Sequence, residues 1–481
     1  AVPVPLYPPV RLGRLDEFHD RTARMLSLSG ARIVLSDARI SRLLGVALSR
    51  AKPPLGLHKL PLLAEPVFEQ GAPDELALIQ FSSGTTVDPK PVALTHSNVL
   101  HNVAAIEHFI PQGDAQGGVS WLPLYHDMGL IGCLLLAVHR PGRLALLGPE
   151  TFLGKPSLWL RAIARHKATI SVAPNFAYGL CLRRVRDEEI RGLDLSNWTH
   201  AMNGAEPVAP QVLRRFAERF APYGFNPRSM MPVYGLSEAS LAVTFTPPGR
   251  GARTTVASAR EIASVGAPLP GVELRVDAGR IFVRGPSVMR GYFGNDAATK
   301  AILRDGWLDT GDLGFVDQGE LFVSGRAKDV IVLRGANHSP QEFEEALDGV
   351  AGVRPGCVAA VPLQTASGEE LAMLVERDAS GENDRDRSVE NDRDRSGERD
   401  RTAAPDLAER ISARIVERTG IKPHAVHLFA PGTLPRTSSG KLRRAEAARQ
   451  LEEGTLRPPE AVTLLRMAKE MARSALASVR K

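Results

Sequence analysis

The sequence predicts an α/β protein with a large N-terminal domain of mainly parallel sheets and helices, a small β-rich subdomain, and a small α/β C-terminal domain. Three observations predict it. From residue 15 onward, short apolar runs alternate with helix-like stretches, as βα units around a parallel sheet require. Gly/Pro density rises at residues 246–253 and 266–270, and residues 272–288 then alternate with the period of antiparallel strands. A strand-like run at 321–324 ends in a break near Arg326, beyond which a fresh βα pattern begins. The expected division is 1–325, a hinge at 326–329 and 330–481. With 481 residues, and about 100 to 200 residues per domain, the chain has room for two to four folding units.

Taken in order, residues 14–27 carry helical apolar spacing, 31–35 read as a buried strand, 40–51 again as a helix and 76–81 as a strand leading into a glycine-bearing turn. A strand at 118–122 precedes a helix from Asp127. Strands near Leu144 and Ile170 flank a helix at 158–166. Residues 378–401 hold nine acidic and six basic residues, with Glu-Asn-Asp-Arg-Asp-Arg-Ser beginning at both Glu382 and Glu390. Such a segment cannot bury enough apolar surface to offset its ordering entropy, so a disordered charged insertion is expected at about 378–405.

Composition excludes several classes. Hydrophobic residues are 43% and charged residues 24% of the chain, which fits an ordinary globular protein rather than a disordered one or a polytopic membrane protein. The longest apolar run, 128–138, falls short of the ~20 residues that span a bilayer, so no transmembrane segment is expected. A net charge of +6 is spread without a basic block, and nucleic acid is not an expected partner. Cys133, Cys181 and Cys357 match neither a metal spacing nor a disulfide framework, which makes the cytoplasm the expected compartment. The first residues show neither the basic nor the apolar region of a signal peptide.

The chemistry-bearing signal begins at Phe81-Ser82-Ser83-Gly84-Thr85-Thr86-Val87-Asp88-Pro89-Lys90. Hydroxyls and backbone N–H groups in such a turn form a concave anion site, and Lys90 adds a compact positive charge suited to a polyphosphate. The turn lacks the Gly-Lys-Ser/Thr ending of an ordinary P-loop. Further segments follow in order: Trp121-Leu-Pro-Leu-Tyr-His126-Asp-Met-Gly-Leu130, Asn203-Gly-Ala-Glu-Pro207, Tyr234-Gly-Leu-Ser-Glu238, Gly306-Trp-Leu-Asp-Thr-Gly-Asp312, Gly325-Arg-Ala-Lys-Asp329 and Pro435-Arg-Thr-Ser-Ser-Gly-Lys441.

Together these resemble the motifs of the adenylate-forming, AMP-binding superfamily. His126-Asp-Met-Gly-Leu130, Arg334-Gly-Ala-Asn-His-Ser-Pro340 and Thr437-Ser-Ser-Gly-Lys-Leu-Arg-Arg444 look most like fatty acyl-AMP ligases. The resemblance implies an ATP-dependent ligase that converts a fatty acid to an acyl-adenylate and passes the acyl group to an acyl carrier protein or polyketide synthase. CoA is the alternative acceptor, and a non-catalytic nucleotide-binding relative the alternative class. ATP and Mg²⁺ are the implied cofactors.

By the same resemblance, Ser82, Ser83, Gly84, Thr85, Thr86 and Lys90 hold phosphates, with Ser237 on the α-phosphate. Tyr234 and Gly235 adjoin adenine, whose edge is read at Gly204, Ala205 and Glu206, while Asp312 takes the ribose hydroxyls with support from Arg326. Glu238 holds Mg²⁺, and Lys441 and His126 complete the catalytic set. Lys441 rides on a mobile C-terminal domain pivoting at Lys328 or Asp329; alone, a loop lysine reads as a solvated charge. Asn175 and Phe176 edge the acyl pocket, although Phe176 and Tyr178 read equally as core aromatics. The apolar stripe Met128, Leu130, Ile131, Leu134 and Leu135 is assigned to the core.

The amphipathic tail, 461–479, is read as packing on the parent domain; basic amphipathic helices also lie on membranes or grip acidic proteins. Measured against the resemblance, the chain starts inside the large domain, which makes a truncated N-terminus the expectation. Val87 stands where many relatives carry Gly. The span 246–264 leaves little room for the inserted segment that disfavours CoA in acyl-AMP ligases.

Overall fold

The computed structural model describes all residues except 10–11, 56–69, 83–88, 111–116, 258–259, 334–335, 366–367, 379–405, 438–439, 460–462 and 480–481. The charged insertion and the tip of the phosphate turn therefore lie outside the described residues. The described chain forms two compact units: residues up to Ser324 together with the closing helix Leu464–Val479, and residues from Gly325 to 459. The closing helix thus belongs to the first unit, not to the C-terminal domain in which the sequence reading put it. It packs along the helix Ala38–Arg50, where Ser474 Oγ accepts the Gly45 N–H at 2.7 Å. Arg473 pairs with Asp16 at 3.0 Å, and Met467 joins the core of Leu15, Phe18, Leu44 and Leu48.

The helices Leu15–Leu28 and Ala38–Arg50 form as their spacing predicts. Residues 31–35 do not form the expected strand: only Val34 makes a bridge, while Ile33 and Leu35 stand 62% and 56% exposed. No strand among the described residues pairs with this run. The strand Leu76–Phe81 pairs antiparallel with Pro91–Thr95, and Gly291–Tyr292 completes that sheet on the other side.

Among the described residues the central sheet has seven strands, in the order Ala267–Pro268, Ala242–Phe245, Met230–Gly235, His200–Asn203, Ile170–Ala173, Gly117–Ser120, Arg143–Leu146. The last five run parallel, Ala242–Phe245 pairs antiparallel with Met230–Gly235, and Ala267–Pro268 pairs antiparallel with Ala242–Phe245. Helices cover it, and Trp159, Trp198, Tyr178, Phe152, Phe216 and Phe220 fill the space beneath with almost no exposure. Tyr178 belongs to this core, its hydroxyl donating to the Met202 carbonyl at 2.8 Å. The β-rich part is a further sheet, with Glu273–Asp277 beside Arg280–Arg284 and then Trp307–Asp317.

The helix His96–Glu107 shows how local chemistry sets an element. Thr95 Oγ1 accepts the Asn98 N–H at 3.1 Å while Asn98 Oδ1 accepts the Thr95 N–H at 3.0 Å, a reciprocal cap. Thr95→Ala is expected to lower stability by about 1 kcal/mol, read as a fall in denaturation midpoint with an unchanged slope.

In the second unit, Val353–Thr365 and Gly368–Arg377 run antiparallel, and Ala425–Phe429 adds a parallel strand. Side chains alternate across the sheet. Val358 and Ala360 enter a core with Phe343, Ile411 and Ile415. Ala359 and Val361 face the other way, into a core with Leu434 and Ala447.

Candidate active site

Open α/β sheets bind ligands beyond the carboxyl ends of their parallel strands, where loops leave for the crossover helices. Four of the sequence motifs leave the central sheet there. Gly117–Ser120 runs into Trp121 and His126, Ile170–Ala173 into Asn175 and Phe176, His200–Asn203 into Gly204, Ala205 and Glu206, and Met230–Gly235 into Ser237 and Glu238.

Two loops hold unusual backbone. Ala205 (φ 68°) and Ser240 (φ 65°) occupy the left-handed region, where a side chain carries strain of about 1–2 kcal/mol. Close approach dictates both glycines of these loops. A Cβ on Gly204 would lie 2.6 Å from Val233 Cγ2, and one on Gly235 would lie 1.8 Å from the Leu241 carbonyl oxygen.

Three side-chain linkages connect the motifs of the first unit. Tyr234, on the central sheet, donates its hydroxyl to Asp312 Oδ2 at 2.7 Å, so the residues expected at adenine and ribose meet across two sheets. Tyr292 donates to Glu238 Oε1 at 2.8 Å, and Lys90 Nζ lies 4.7 Å from the Tyr292 ring centre. The pairing of Gly291–Tyr292 with Val92 and Ala93 sets Tyr292 beside Lys90. At the neck of the phosphate turn, the Ser82 N–H donates to the Lys90 carbonyl at 3.0 Å; Ser83, Gly84, Thr85 and Thr86 lie outside the described residues.

The third linkage is buried. Ser237 Oγ donates to Asp127 Oδ2, and His126 Nδ1 lies 2.6 Å from Asp127 Oδ1. The three are 7%, 6% and 9% exposed. The Met128 N–H also donates to Asp127 Oδ1, at 2.7 Å. Asp127 thus ties the residue expected at the α-phosphate to the histidine expected at the acyl end. Reading the sequence singled out His126 and passed over its neighbour, and it missed Tyr292 altogether. Asp127 was legible as a carboxylate inside a motif, whereas Tyr292 lies in Gly291-Tyr-Phe293, which carried no such signal.

Asp127→Asn removes an acceptor from this network. A lost hydrogen bond to a charged group is worth roughly 2 kcal/mol, or about thirtyfold in rate if felt in full at the transition state. Slower acyl-adenylate formation at saturating ATP is the expected result, checked by pyrophosphate release.

The acyl edge departs in detail from expectation. Asn175 Oδ1 accepts from Asn203 Nδ2 and from the Ala209 N–H, each at 3.2 Å, so this side chain ties neighbouring loops together. Glu206 accepts the Phe176 N–H at the start of the helix Asn175–Arg184. Phe176 sits edge-on to Trp121, with ring centres 5.9 Å apart. The helix from Asp127 winds as a π-helix over Leu130–Leu135. The wider turn shifts the phase of the apolar stripe, which leaves Met128 and Ile131 buried but Leu130, Leu134 and Leu135 half-exposed.

Lys441, Arg326, Lys328 and Asp329 belong to the second unit. Lys441 lies on the return of a short closed loop: the Thr437 N–H donates to the Lys441 carbonyl at 2.8 Å, and the Lys441 N–H donates to Thr437 Oγ1 at 3.0 Å. Arg326 ends the strand Glu320–Arg326, and its carbonyl accepts the Asp329 N–H at 3.1 Å.

A parallel sheet whose strand-end loops carry hydroxyls, a Tyr234–Asp312 pair and a carboxylate linked through Tyr292 to a lysine suits an adenylate-forming ligase. Residues 1–293 match the model of the AMP-binding enzyme family, and the chain belongs to that family, whose members use ATP to activate an acid through an acyl-adenylate.

The relatives narrow the class. A Caulobacter vibrioides protein provisionally named acyl-CoA synthetase is 34% identical over 94% of this chain and 82% of its own. The medium-chain-fatty-acid–[acyl-carrier-protein] ligase JamA of Moorena producens is 31% identical over 80% of this chain and 69% of its own. Among solved structures, a fatty acyl-adenylate ligase from work on the E. coli and L. pneumophila enzymes matches at a TM-score of 0.81 and 32% identity, covering 94% of this chain and 84% of that one. A fatty acyl-adenylate ligase from L. pneumophila, in complex with acyl adenylate and pyrophosphate, matches at 0.63 and 29%, covering 94% and 82%.

Proposed function

We propose that this ligase activates a fatty acid and hands the acyl group to the phosphopantetheine thiol of an acyl carrier protein, free-standing or within a polyketide synthase. The observation that supports the reading is the buried Ser237–Asp127–His126 linkage, which joins the residue assigned to the α-phosphate to the histidine assigned to the carboxylate. A fatty-acid carboxylate oxygen attacks the α-phosphorus of ATP, and the bond from that phosphorus to the pyrophosphate oxygen breaks. Negative charge grows on the phosphoryl oxygens, so catalysis is mainly positioning and charge neutralisation.

The roles follow from chemistry and position. Tyr234 and Asp312 place the nucleoside, with adenine against the ring and the ribose hydroxyls on the carboxylate, while the backbone at Gly204, Ala205 and Glu206 reads the adenine edge. Arg326 supports the ribose contact. Ser82, Lys90 and Ser237 hold phosphate oxygens. Lys441 neutralises the α-phosphate, delivered by a turn at Lys328 or Asp329. His126 faces the carboxylate and Phe176 the acyl chain.

Glu238 suits Mg²⁺, a cation commonly held by one or two carboxylates plus substrate phosphates rather than by an all-protein cage; no cluster of three or more His, Cys, Asp or Glu occurs among the described residues. The ion, when bound, neutralises phosphate charge. Tyr292 orients the carboxylate that holds it.

Transfer to CoA is the second reading. The relative named acyl-CoA synthetase favours it, as does the span 246–264, where the strands among the described residues are the short hairpin Thr254–Ala257 and Arg260–Ala263. Incubating the chain with ATP, a fatty acid and either CoA or phosphopantetheinylated carrier protein, then weighing the products, separates the two. Acyl-carrier protein without acyl-CoA supports the proposal, and acyl-CoA alone contradicts it. The described helices include none long and apolar enough to cross a membrane.

A further inference from the structure

The second unit contains a buried charge cluster of which the roles above use only Asp329, as a pivot. Arg444 opens the helix Arg444–Glu452, three residues beyond Lys441. Its Nε and Nη2 donate to the two carboxylate oxygens of Glu344, each at 2.6 Å. Its Nη1 lies 3.5 Å from Asp329 Oδ2. The side chains of Arg444, Asp329 and Glu344 are 15%, 7% and 13% exposed. Glu344 also accepts the Ala360 N–H at 3.0 Å, which anchors the cluster to the sheet. Burial opposes the Arg444 charge, but the two carboxylates outweigh it and hold the guanidinium above its ordinary pKa.

Three buried charges are an expensive way to hold a helix end, because apolar packing there is often as stable. What the cluster supplies is geometry. The Arg fork fixes direction as well as distance. On one side is Asp329, expected at the pivot. On the other, the loop bearing Lys441 is closed at its base, where the Arg443 N–H donates to the Pro435 carbonyl at 3.0 Å. Arg436 clamps the same loop from the opposite flank, donating to the Gly440 carbonyl at 2.7 Å and to the Gly356 carbonyl.

We propose that Arg444 is a positioning residue for the adenylating half-reaction: by gripping Asp329 and Glu344 it makes the pivot and the Lys441 loop turn as one rigid piece. The proposal rests on the reading of Lys441 as the α-phosphate lysine. Without the fork, rotation at Asp329 is no longer passed in full to the loop, and the ammonium arrives displaced. Substrate sites of the first unit are left as they were.

Single-turnover acyl-adenylate formation by the full chain, given ATP and a fatty acid, tests this with Arg444→Lys, Asp329→Asn, their double variant and Lys441→Ala. Lysine keeps the charge but not the fork. The rate constant is expected to fall about tenfold in Arg444→Lys, since a misplaced charge is felt in the transition state. The amplitude stays full, and KM for ATP stays within about twofold. The double variant should be no slower than the slower single one, because both act through one contact.

A merely structural role would reduce the amplitude and leave the rate constant alone, and that result overturns the proposal. So does a double-variant loss equal to the product of the single losses. An undiminished rate constant in Lys441→Ala overturns instead the lysine reading on which the proposal stands. Should Arg444→Lys melt below the assay temperature, Asp329→Asn, which leaves the Glu344 pair in place, decides on rate constant against amplitude.

Discussion

Lys441→Ala is expected to lower the rate of acyl-adenylate formation by about 10³-fold, since a positioned donor or cation at the developing charge of a transferring group contributes on that scale. The loop that carries the lysine is built to hold it. Thr437 closes on Lys441 from both backbone directions, and the Leu434 N–H at the loop's entrance donates to the buried carboxylate of Glu376 at 2.9 Å. These are backbone hydrogen bonds of Lys441 and Leu434, which alanine at 441 keeps, so the loop's closure is retained in the variant. The residues proposed to place the nucleoside, apart from Arg326, lie in the first unit, so ATP binding measured by calorimetry should change little. A variant that lost binding and turnover together would point to a ground-state role for the lysine.

Glu238→Gln comes next in size, with an expected loss of about 10²-fold at ordinary Mg²⁺, because a bound metal is the largest local charge at a phosphoryl-transfer site and Glu238 is the carboxylate proposed to hold it. Glutamine keeps the volume and still accepts from the Tyr292 hydroxyl, so the linkage to Lys90 need not collapse. Part of the loss should return as Mg²⁺ is raised, since weaker binding is offset by mass action. Tyr292→Phe, which removes the 2.8 Å hydrogen bond to Glu238 but not the carboxylate, should shift the same Mg²⁺ titration by a smaller factor. A loss in Glu238→Gln that no Mg²⁺ concentration relieves would point instead to a structural role for the carboxylate.

Much of this architecture was legible in the residues, and the failures have physical causes. Hydrophobic periodicity located the helices Leu15–Leu28 and Ala38–Arg50 and the parallel strands around Ile170, because each buries one stripe or one run against a single core. It failed at residues 31–35, where Ala-Arg-Ile-Val-Leu has the composition of a strand but, among the described residues, no strand that pairs with it. It failed again over Leu130–Leu135, since a stripe counted at 3.6 residues per turn drifts out of phase in a π-helix.

The closing helix was read as amphipathic, but a period says only that a face is buried, not against which unit. The candidate site shows the same limit. Motifs named Tyr234, Glu238 and Asp312, each a chemically distinctive residue in a short local signature. Tyr292 and Asp127 matter through what they touch, and those contacts are long-range: Tyr292 reaches Glu238 across 54 positions and Asp127 reaches Ser237 across 110. Arg444 shares a motif with Lys441, three residues before it, but its own partners, Glu344 and Asp329, lie in other segments of the second unit.

The most direct measurement is the exchange of labelled pyrophosphate into ATP by the full chain, with and without a fatty acid and with no thiol acceptor present. Label appearing in ATP only when the acid is supplied, and vanishing in both Lys441→Ala and Glu238→Gln, is the predicted result. Exchange that ignores the fatty acid, or that survives loss of both residues, would contradict the assignment of these side chains to acyl-adenylate chemistry.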